Sequence, residues 1–243
     1  MCSFKKLFSL LLVLLLCCAC GAQVPYEYHN DVGLRISLLQ GDRYKAILLL
    51  ELEVQNNTPI TTVEFEDGII DMTPAAEVED KPQGPAGSSL SYSTTLEQSE
   101  PVVRLTLEST LSLTGREAKL LIPSVTINGR RYEGPWELST HLKVDDASQE
   151  YTLDPAAAGP LTDIEVQACP YTARVSTPGA AEALAGREIF ITLRSGSTPR
   201  SDGGSFSSDP THPRFFHYNS PIAYDQLVSI TIDGMEYPLV PQQ

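Results

Sequence analysis

Cysteine is the residue type in this sequence whose spacing most invites a chemical interpretation. Three of the five cysteines, Cys17, Cys18 and Cys20, lie within four positions of the stretch LLLCCACGAQ. A zinc site needs ligands that return from a second segment, and the only later cysteine is Cys169, with no paired histidine nearby. Adjacent Cys17 and Cys18 also make poor disulfide partners. The cluster therefore indicates processing rather than metal binding or cross-linking.

The residues before the cluster have the pattern of an export signal. Lys5 and Lys6 precede an apolar run over residues 7–16, which is typical of a secretory signal peptide. This run is several residues shorter than the roughly 20 that a membrane-spanning helix needs, and no second apolar run of that length follows. The sequence therefore predicts an exported protein with an extracytoplasmic body and no transmembrane helix.

The stretch LLCCACGAQ is similar to the lipobox of bacterial lipoproteins, in which a cysteine after small residues is diacylated and becomes the new N-terminus. Cys20 fits best, between Ala19 and Gly21. Cys17 stands three positions before it, where such motifs have leucine, and this leaves Cys18 as the alternative acceptor. The resemblance implies a diacylglyceryl anchor on Cys20, and two acyl chains hold a protein to the cell membrane durably.

The remaining reactive side chains do not form a recognisable catalytic pattern. Cys169 precedes Pro170 on the outward parity of DIEVQACP, and no histidine is placed beside it as a general base, so a passive thiol is expected. His212 and His217 with Asp209 could ligate a metal, but their spacing on a loop is not diagnostic.

Acidic residues also cluster once, in EFEDGIID at residues 64–71, without the spacing of an EF-hand loop, and a solvated turn is favoured there. The sequence contains no G-x-S-x-G or H-E-x-x-H motif and no phosphate-cradling glycine loop. We therefore predict a protein that is not an enzyme and holds no cofactor or metal.

The richest candidate for contact with another molecule is the aromatic stretch THPRFFHYNSP. Phe215, Phe216, His217 and Tyr218 crowd a segment between turn-forming residues, and aromatic side chains on a loop can anchor a partner. They can equally fold back and cover one end of a β-sandwich. These four residues are the predicted partner-binding loop.

Composition restricts the kind of partner. The formal net charge is −14, and removal of residues 1–19 with their two lysines makes it −16. Binding to nucleic acid depends on cationic neutralisation of phosphates, so no nucleic-acid partner is expected. The acidity is typical of a solvated surface, although it could also attract a cationic partner or loosely held divalent ions.

An internal repeat indicates the domain organisation. The segments Ser124–Tyr132 and Ser229–Tyr237 share the pattern S-[VI]-T-I-[ND]-G-x-x-Y at a separation of 105 residues. Each is typical of a strand that enters a two-residue hairpin turn, because Asn-Gly and Asp-Gly suit positive φ. A repeat of about this length matches one immunoglobulin-like sandwich, so we expect one such hairpin in each of two domains.

Alternating apolar residues support this interpretation. Residues 44–54, 103–108 and 189–194 each place apolar side chains on one face of a strand, with period two. Trp136 shares its parity with Leu138 and is expected to pack in a core or at its edge. The sequence thus predicts an all-β fold class with two immunoglobulin-like β-sandwich domains in tandem.

The predicted domain boundary lies near residues 145–149. The domain assignment has four parts, which are a lipoprotein signal peptide at 1–19, a lipidated tether at 20–29, and sandwich domains at 30–146 and 147–243. Cys169 is the only cysteine in the two sandwich domains, so their stability must come from apolar cores without an internal disulfide.

Four stretches, ILLLELEVQNNTPI, INGRRYEGPWEL, LTDIEVQACPYTARV and YDQLVSITIDGMEYPL, resemble paired immunoglobulin-like extracytoplasmic domains of membrane anti-sigma-factor-like envelope proteins. The resemblance implies the fold and the location, and it carries no catalytic residue. We expect a non-enzymatic surface lipoprotein that contacts or senses another envelope protein. The alternative is a β-sandwich receptor for a small ligand or glycan; an envelope hydrolase using Cys169 or residues 209–217 is least favoured.

Overall fold

The computed structural model describes residues 25–55, 58–65, 69–74, 88–96, 101–156, 161, 163–177, 184, 186–201, 203–205 and 213–242. Seventeen strands cross these ranges, all paired antiparallel, and a 3-10 turn covers Tyr224–Gln226. The all-β class expected from the alternating pattern is confirmed. In chain order the strands are β1 (Glu27–His29), β2 (Val32–Gly41), β3 (Lys45–Val54), β4 (Val63–Phe65), β5 (Ile69–Pro74), β6 (Ser88–Leu96), β7 (Pro101–Ser109), β8 (Arg116–Ile127), β9 (Arg130–His141), β10 (Gln149–Leu153), β11 (Glu165–Ala168), β12 (Thr172–Ser176), β13 (Ile189–Leu193), β14 (Gly203–Ser205), β15 (Arg214–His217), β16 (Leu227–Ile232) and β17 (Met235–Pro241).

In the first half of the chain, residues 25–144, the described strands form two sheets. One has the order β1-β2-β3-β7-β6; in the other β8 pairs with β4, β5 and β9. Both contribute to a single apolar cluster, to which Leu48 and Leu105 come from the first sheet and Ile122 and Trp136 from the second. Trp136 is fully buried, as its parity predicts, and its indole N–H donates to the Val32 carbonyl oxygen at 3.3 Å.

The second half, residues 149–242, forms one continuous path of strands in the order β13-β16-β17-β10-β11-β12-β15-β14. Its apolar cluster is separate from that of the first half and includes Val166, Val175, Phe216, Ile230 and Tyr237. Apolar packing is roughly proportional to the area removed from water, so each cluster supplies its own driving force for folding.

The two halves repeat the same pairing order. The series β2-β3-β7-β6 in the first half corresponds to β11-β12-β15-β14 in the second, and β8 between β4 and β9 corresponds to β16 between β13 and β17. The additional strand differs in detail, because β10 pairs with both β11 and β17, whereas β1 pairs with β2. The internal similarity therefore extends well beyond the repeated sequence pattern.

The repeated pattern forms equivalent hairpins. Residues 128 and 129 join β8 to β9 with φ of 50° and 76°, and residues 233 and 234 join β16 to β17 with φ of 49° and 80°. Positive φ at both central positions defines the tight turn that follows the twist of paired strands, and asparagine, aspartate and glycine tolerate it best. The two hairpins predicted from Asn-Gly and Asp-Gly are confirmed.

Each hairpin also holds the strand beside it through the same residue. The Asn128 N–H donates to the Thr62 carbonyl at 3.0 Å, and its Oδ1 accepts from the N–H groups of Thr61 and Thr62. The Asp233 N–H donates to the Glu188 carbonyl at 2.9 Å, and its Oδ1 accepts from the Glu188 N–H at 3.0 Å. Turn chemistry and strand pairing are thus coupled in both halves.

Candidate functional site at the junction of the two halves

The two halves meet where the turn between β2 and β3 packs on β11, β12 and β15. Side chains alternate across a strand, so Val166 and Phe216 enter the second core while Gln167, Phe215 and His217 lie on the opposite face. All three are buried, because the first half covers them. We call this contact the junction; from the first half it contains Asp42, Tyr44 and Lys45.

Asp42 is the centre of the junction. Its Oδ1 accepts from the N–H groups of Tyr44 at 2.8 Å and Lys45 at 2.9 Å, and from the Thr172 hydroxyl at 3.1 Å. Its Oδ2 accepts from the Tyr171 N–H at 2.7 Å. Burial raises the pKa of the Asp42 carboxyl above its ordinary value, although these hydrogen bonds act in the opposite direction. One carboxylate therefore shapes its own turn and binds the second half.

Gly41 lets this turn close tightly. A Cβ at this position would lie 2.4 Å from the Lys45 carbonyl oxygen, so a larger residue would displace the backbone that presents Asp42. The Gly41 carbonyl also accepts from the Asp145 N–H at 3.1 Å, which ties the turn to the start of the segment between the halves.

Two further polar contacts, Tyr44 with Gln167 and Lys45 with Asn219, cross the junction, and each continues to a carboxylate within one half. The Tyr44 hydroxyl donates to Oε1 of Gln167 at 2.7 Å, and Nε2 of Gln167 donates to Oε1 of Glu150 at 2.6 Å. The buried Lys45 ammonium donates to Oδ1 of Asn219 at 3.2 Å and lies 3.3 Å from Oε1 of Glu108. Buried polar groups are costly unless paired, so these contacts specify one arrangement of the halves.

Cys169 belongs to an apolar cluster at the junction together with Tyr44 and Phe215. The predicted outward parity is correct with respect to the second core, but the side chain is fully buried because the first half packs over it. Desolvation raises the pKa of the thiol to about 12. The group thus remains a protonated thiol at neutral pH, which fits the expectation of a passive cysteine.

His217 completes the junction. Its Nδ1 lies 3.3 Å from Oγ1 of Thr172, and its ring stacks on Phe215 with a centroid separation of 6.4 Å. The side chain is fully buried, and desolvation lowers its pKa to about 4. Thr172 is equally buried between this imidazole and the Asp42 carboxylate. The arrangement holds two parts of the molecule together and presents no attacking group to solvent.

The predicted partner-binding loop is not an exposed loop in the structure. Phe215, Phe216 and His217 lie on β15, Tyr218 follows it directly, and all four side chains are buried. Phe216 and Tyr218 pack in the second core, whereas Phe215 and His217 face the junction. Strand alternation explains the division, and the alternative that these aromatics fold back onto the sandwich describes them better.

Several other predicted residues fall outside the described ranges. They are Cys20 and the rest of residues 1–24, Asp209 and His212, and residues 66–68 of the acidic stretch. Across the ranges that the structure does describe, no group of three or more histidine, cysteine, aspartate or glutamate residues could hold a metal ion. Within the same ranges, no helix has the length and hydropathy to cross a membrane.

A cleft of about 690 Å³ opens beside the junction. The first half contributes Leu39, Gly41, His141 and Lys143 to its walls, and the second half contributes Tyr171 among others. Leu39 is 44% exposed although it is a large apolar residue. The cleft has the size of a small-molecule site, and its shape depends on how the two halves are held.

No sequence pattern marks Asp42, Tyr44 or Lys45 as part of a functional site. The only local signal is the order Gly-Asp-Arg-Tyr-Lys between two alternating strands, where an aspartate can accept from the backbone N–H groups two and three residues later. That signal predicts a turn. It does not reveal the partners on Tyr171 and Thr172, because they lie about 130 residues away.

The comparisons with known proteins bear on the fold and not on the function. No family model matches this chain, and no curated protein matches its sequence. A solved structure described as the crystal structure of the conserved domain protein from Bacillus anthracis is similar with a TM-score of 0.50 and 14% identity. The similarity covers 87% of this chain and 76% of that one. At this identity it is a likeness of architecture.

Proposed function

We propose that the chain is a tandem pair of immunoglobulin-like domains, residues 30–146 and 147–243, held outside the cytoplasm by a lipid on Cys20. The strand pairings support the fold. Seven strands of such a domain form one sheet of order A-B-E-D and a second of order C-F-G. In the first half, the A-B-E-D sheet corresponds to β2-β3-β7-β6, and strands C, F and G correspond to β4 with β5, β8 and β9. In the second half, the A-B-E-D sheet corresponds to β11-β12-β15-β14, and strands C, F and G correspond to β13, β16 and β17.

We propose further that the protein is a non-enzymatic interaction or sensing module of the bacterial envelope, with another envelope protein as its partner. The observation that carries this proposal is the cleft at the junction, which both halves build and which a buried hydrogen-bond network holds in one shape. A rigid β-scaffold with a composite surface suits recognition. The net charge of −14 argues against nucleic acid as the partner.

The anchor is tested by metabolic labelling with a fatty acid. We expect Cys20→Ala to abolish incorporation of the label and to release the protein from the membrane, because the acylated thiol is lost. Cys18→Ala is the matched control and should still be labelled. Unchanged labelling of Cys20→Ala, with loss in Cys18→Ala, would move the anchor to Cys18.

The recognition surface is tested with two exposed apolar residues of the full chain. Leu39→Asp places a charge at the cleft, whereas Phe190→Asp changes a 39% exposed residue on β13 that does not line the cleft. After cross-linking in intact cells, we expect the wild type and Phe190→Asp to capture the same envelope protein and Leu39→Asp to lose it. Equal capture by all three would remove the cleft from the proposal.

The second candidate, a receptor for a small ligand or glycan, is favoured by the same cleft, because 690 Å³ lies in the range of small-molecule sites. A ligand that binds only the folded state raises the melting temperature. We expect a bound saccharide to raise the Tm of the wild type and of Phe190→Asp, but not that of Leu39→Asp. No shift with any sugar at millimolar concentration would leave the protein-partner proposal.

A further inference from the structure

Three side chains form a hydrogen-bonded chain that crosses the junction. Nδ1 of His217 lies 3.3 Å from Oγ1 of Thr172, which lies 3.1 Å from Oδ1 of Asp42. All three residues are fully buried. His217 and Thr172 belong to the second half and Asp42 to the first, so this series of hydrogen bonds is complete only while the two halves are in contact.

Which group donates in each of these hydrogen bonds follows from the number of hydrogens that each side chain carries. A carboxylate can only accept, and the Thr172 hydroxyl has one hydrogen to give, which goes to Asp42. Nδ1 of His217 must then donate to Oγ1 of Thr172, so Nε2 of the neutral ring is an unprotonated acceptor. Nε2 is buried, and it has no hydrogen-bond partner within the part of the chain that the structure describes.

Charged groups of the first half face the imidazole ring. The buried Lys45 ammonium on β3 lowers its pKa and the Glu108 carboxylate on β7 raises it, while burial has the largest influence and lowers it. Lys45 and Glu108 are 3.3 Å apart, so their charges largely offset each other. A proton added to Nε2 would therefore create a buried charge beside an ion pair that is already balanced.

The second half offers this added charge little compensation. On β12, the strand paired with β15, Arg174 lies opposite Phe215 and is itself cationic. On the other side, β14 brings only Gly203–Ser205, which contain no titratable side chain. Other titratable groups at the junction include Cys169, whose thiol is protonated at neutral pH, Tyr44, and Asp42, whose carboxylate already accepts from four donors.

We propose that the hydrogen-bonded side chains of Asp42, Thr172 and His217 form an acid-sensitive latch. This latch holds the two halves together at neutral pH and releases them when His217 takes up a proton. The released form differs in the contact between the halves, and each half keeps its own apolar core. The latch thus couples the shape of the cleft to external pH, whatever the cleft binds.

Proton linkage gives the direction and the size of the effect. In the closed form the pKa of His217 is about 4, and in an open form with a solvated ring it returns to its ordinary value of 6.5. The open form therefore binds the proton first as the pH falls below 6.5. From His217 alone, the ratio of closed to open molecules is expected to fall by about two orders of magnitude between pH 6.5 and 4.

Asp42 acts in the opposite direction. Burial raises its pKa in the closed form, so protonation of this carboxyl favours the closed form as the pH falls. The acid response of the wild type is the sum of the two groups. Replacing His217 by a residue that does not titrate leaves only the contribution of Asp42, so the acid opening should disappear.

Cys169 provides a reporter within the junction itself, because its fully buried thiol clusters with Tyr44 of the first half and Phe215 of its own half. The full chain is treated with dithiodipyridine, which reacts with thiols in acid, and modification of Cys169 is followed by peptide mass spectrometry. We expect the rate to rise at least tenfold from pH 7 to pH 5 while the far-ultraviolet circular dichroism, which reports the strands of both halves, stays constant.

Two variants and one titration decide the outcome. The control His29→Gln, at a partly exposed histidine on β1 that lines neither the junction nor the cleft, should keep the wild-type pH profile, whereas His217→Gln should lose the rise in acid. In the wild type, the midpoint of the labelling profile should coincide with the midpoint of His217 protonation followed by NMR. A flat wild-type profile, a rise preserved in His217→Gln, or two midpoints that differ by more than one pH unit would each overturn the latch. If Cys169 of the His217→Gln variant reacts rapidly at every pH, the outcome is decided by comparing the labelling midpoint with the protonation midpoint in the wild type.

Discussion

At the scale of single residues, the Asp42 carboxylate makes the position of one half depend on the other. Two of its hydrogen bonds, from the N–H groups of Tyr44 and Lys45, close its own turn. The other two come from Tyr171 and Thr172 in the second half. A buried carboxylate is stable only while such donors surround it, so the turn conformation and the contact between the halves are one event.

Substitution of Asp42 should therefore be costly. Asp42→Ala leaves the Tyr171 N–H and the Thr172 hydroxyl buried without their acceptor, and we expect a loss of about 2–4 kcal/mol in the free energy of unfolding measured in urea. Asp146→Asn is the control, because Asp146 pairs with Arg43 at an exposed position, and it should cost at most about 1 kcal/mol. Similar losses for the two variants would contradict the role assigned to Asp42.

At the scale of secondary-structure elements, each repeated hairpin combines backbone conformation with a side-chain tie to the neighbouring strand. Asn128 has a φ of 50° and accepts three hydrogen bonds from Thr61 and Thr62 through one oxygen. Asp233 has a φ of 49° and ties Glu188 in the same way. The residue in the turn thus sets the register of the strand beside the hairpin.

The two contributions can be separated at Asn128. Asn128→Gly keeps the freedom to adopt positive φ and loses the hydrogen bonds, so we expect a cost of about 1 kcal/mol. Asn128→Ala loses both, and a left-handed alanine adds roughly 1 kcal/mol, for a total of about 2 kcal/mol in chemical unfolding. If the alanine variant were as stable as the glycine variant, backbone conformation would not limit this turn.

At the scale of the whole molecule, two apolar clusters are joined by a buried and largely polar junction. Each cluster draws its residues from one half, and the small third cluster of Tyr44, Cys169 and Phe215 lies between them. Contacts of this kind fix an orientation, but they contribute less stability than apolar packing of similar size. We therefore expect the junction to open before either core unfolds.

Limited proteolysis tests this expectation. The segment at residues 145–149 joins the two halves, and cleavage there should come first and leave two protease-resistant fragments that mass spectrometry can identify. Asp42→Ala should be cut there faster than the wild type, because Asp145 is held by the turn that Asp42 shapes. Early cuts scattered through both halves would indicate a single cooperative unit.

The periodic and turn signals in the sequence predicted much of the secondary structure. Alternation in residues 44–54 identified most of β3 and its buried face, and the Asn-Gly and Asp-Gly turns identified two hairpins. These signals are reliable because they depend on neighbours within a few residues. The loop expected around Phe215 and His217 is a strand in the structure, because proline and polar residues around them suggested a turn where the chain forms β15.

The sequence by itself determined which side of each strand its residues occupy, since the side-chain period of two is a property of the extended backbone. Only the tertiary structure decided what lies over the outer side of β11 and β15. Asp42 and Thr172, which meet there, are 130 residues apart, and no local preference encodes a contact at that separation. Cys169 and His217 therefore have the parity of surface residues and the burial of core residues, because the first half, rather than solvent, covers that face.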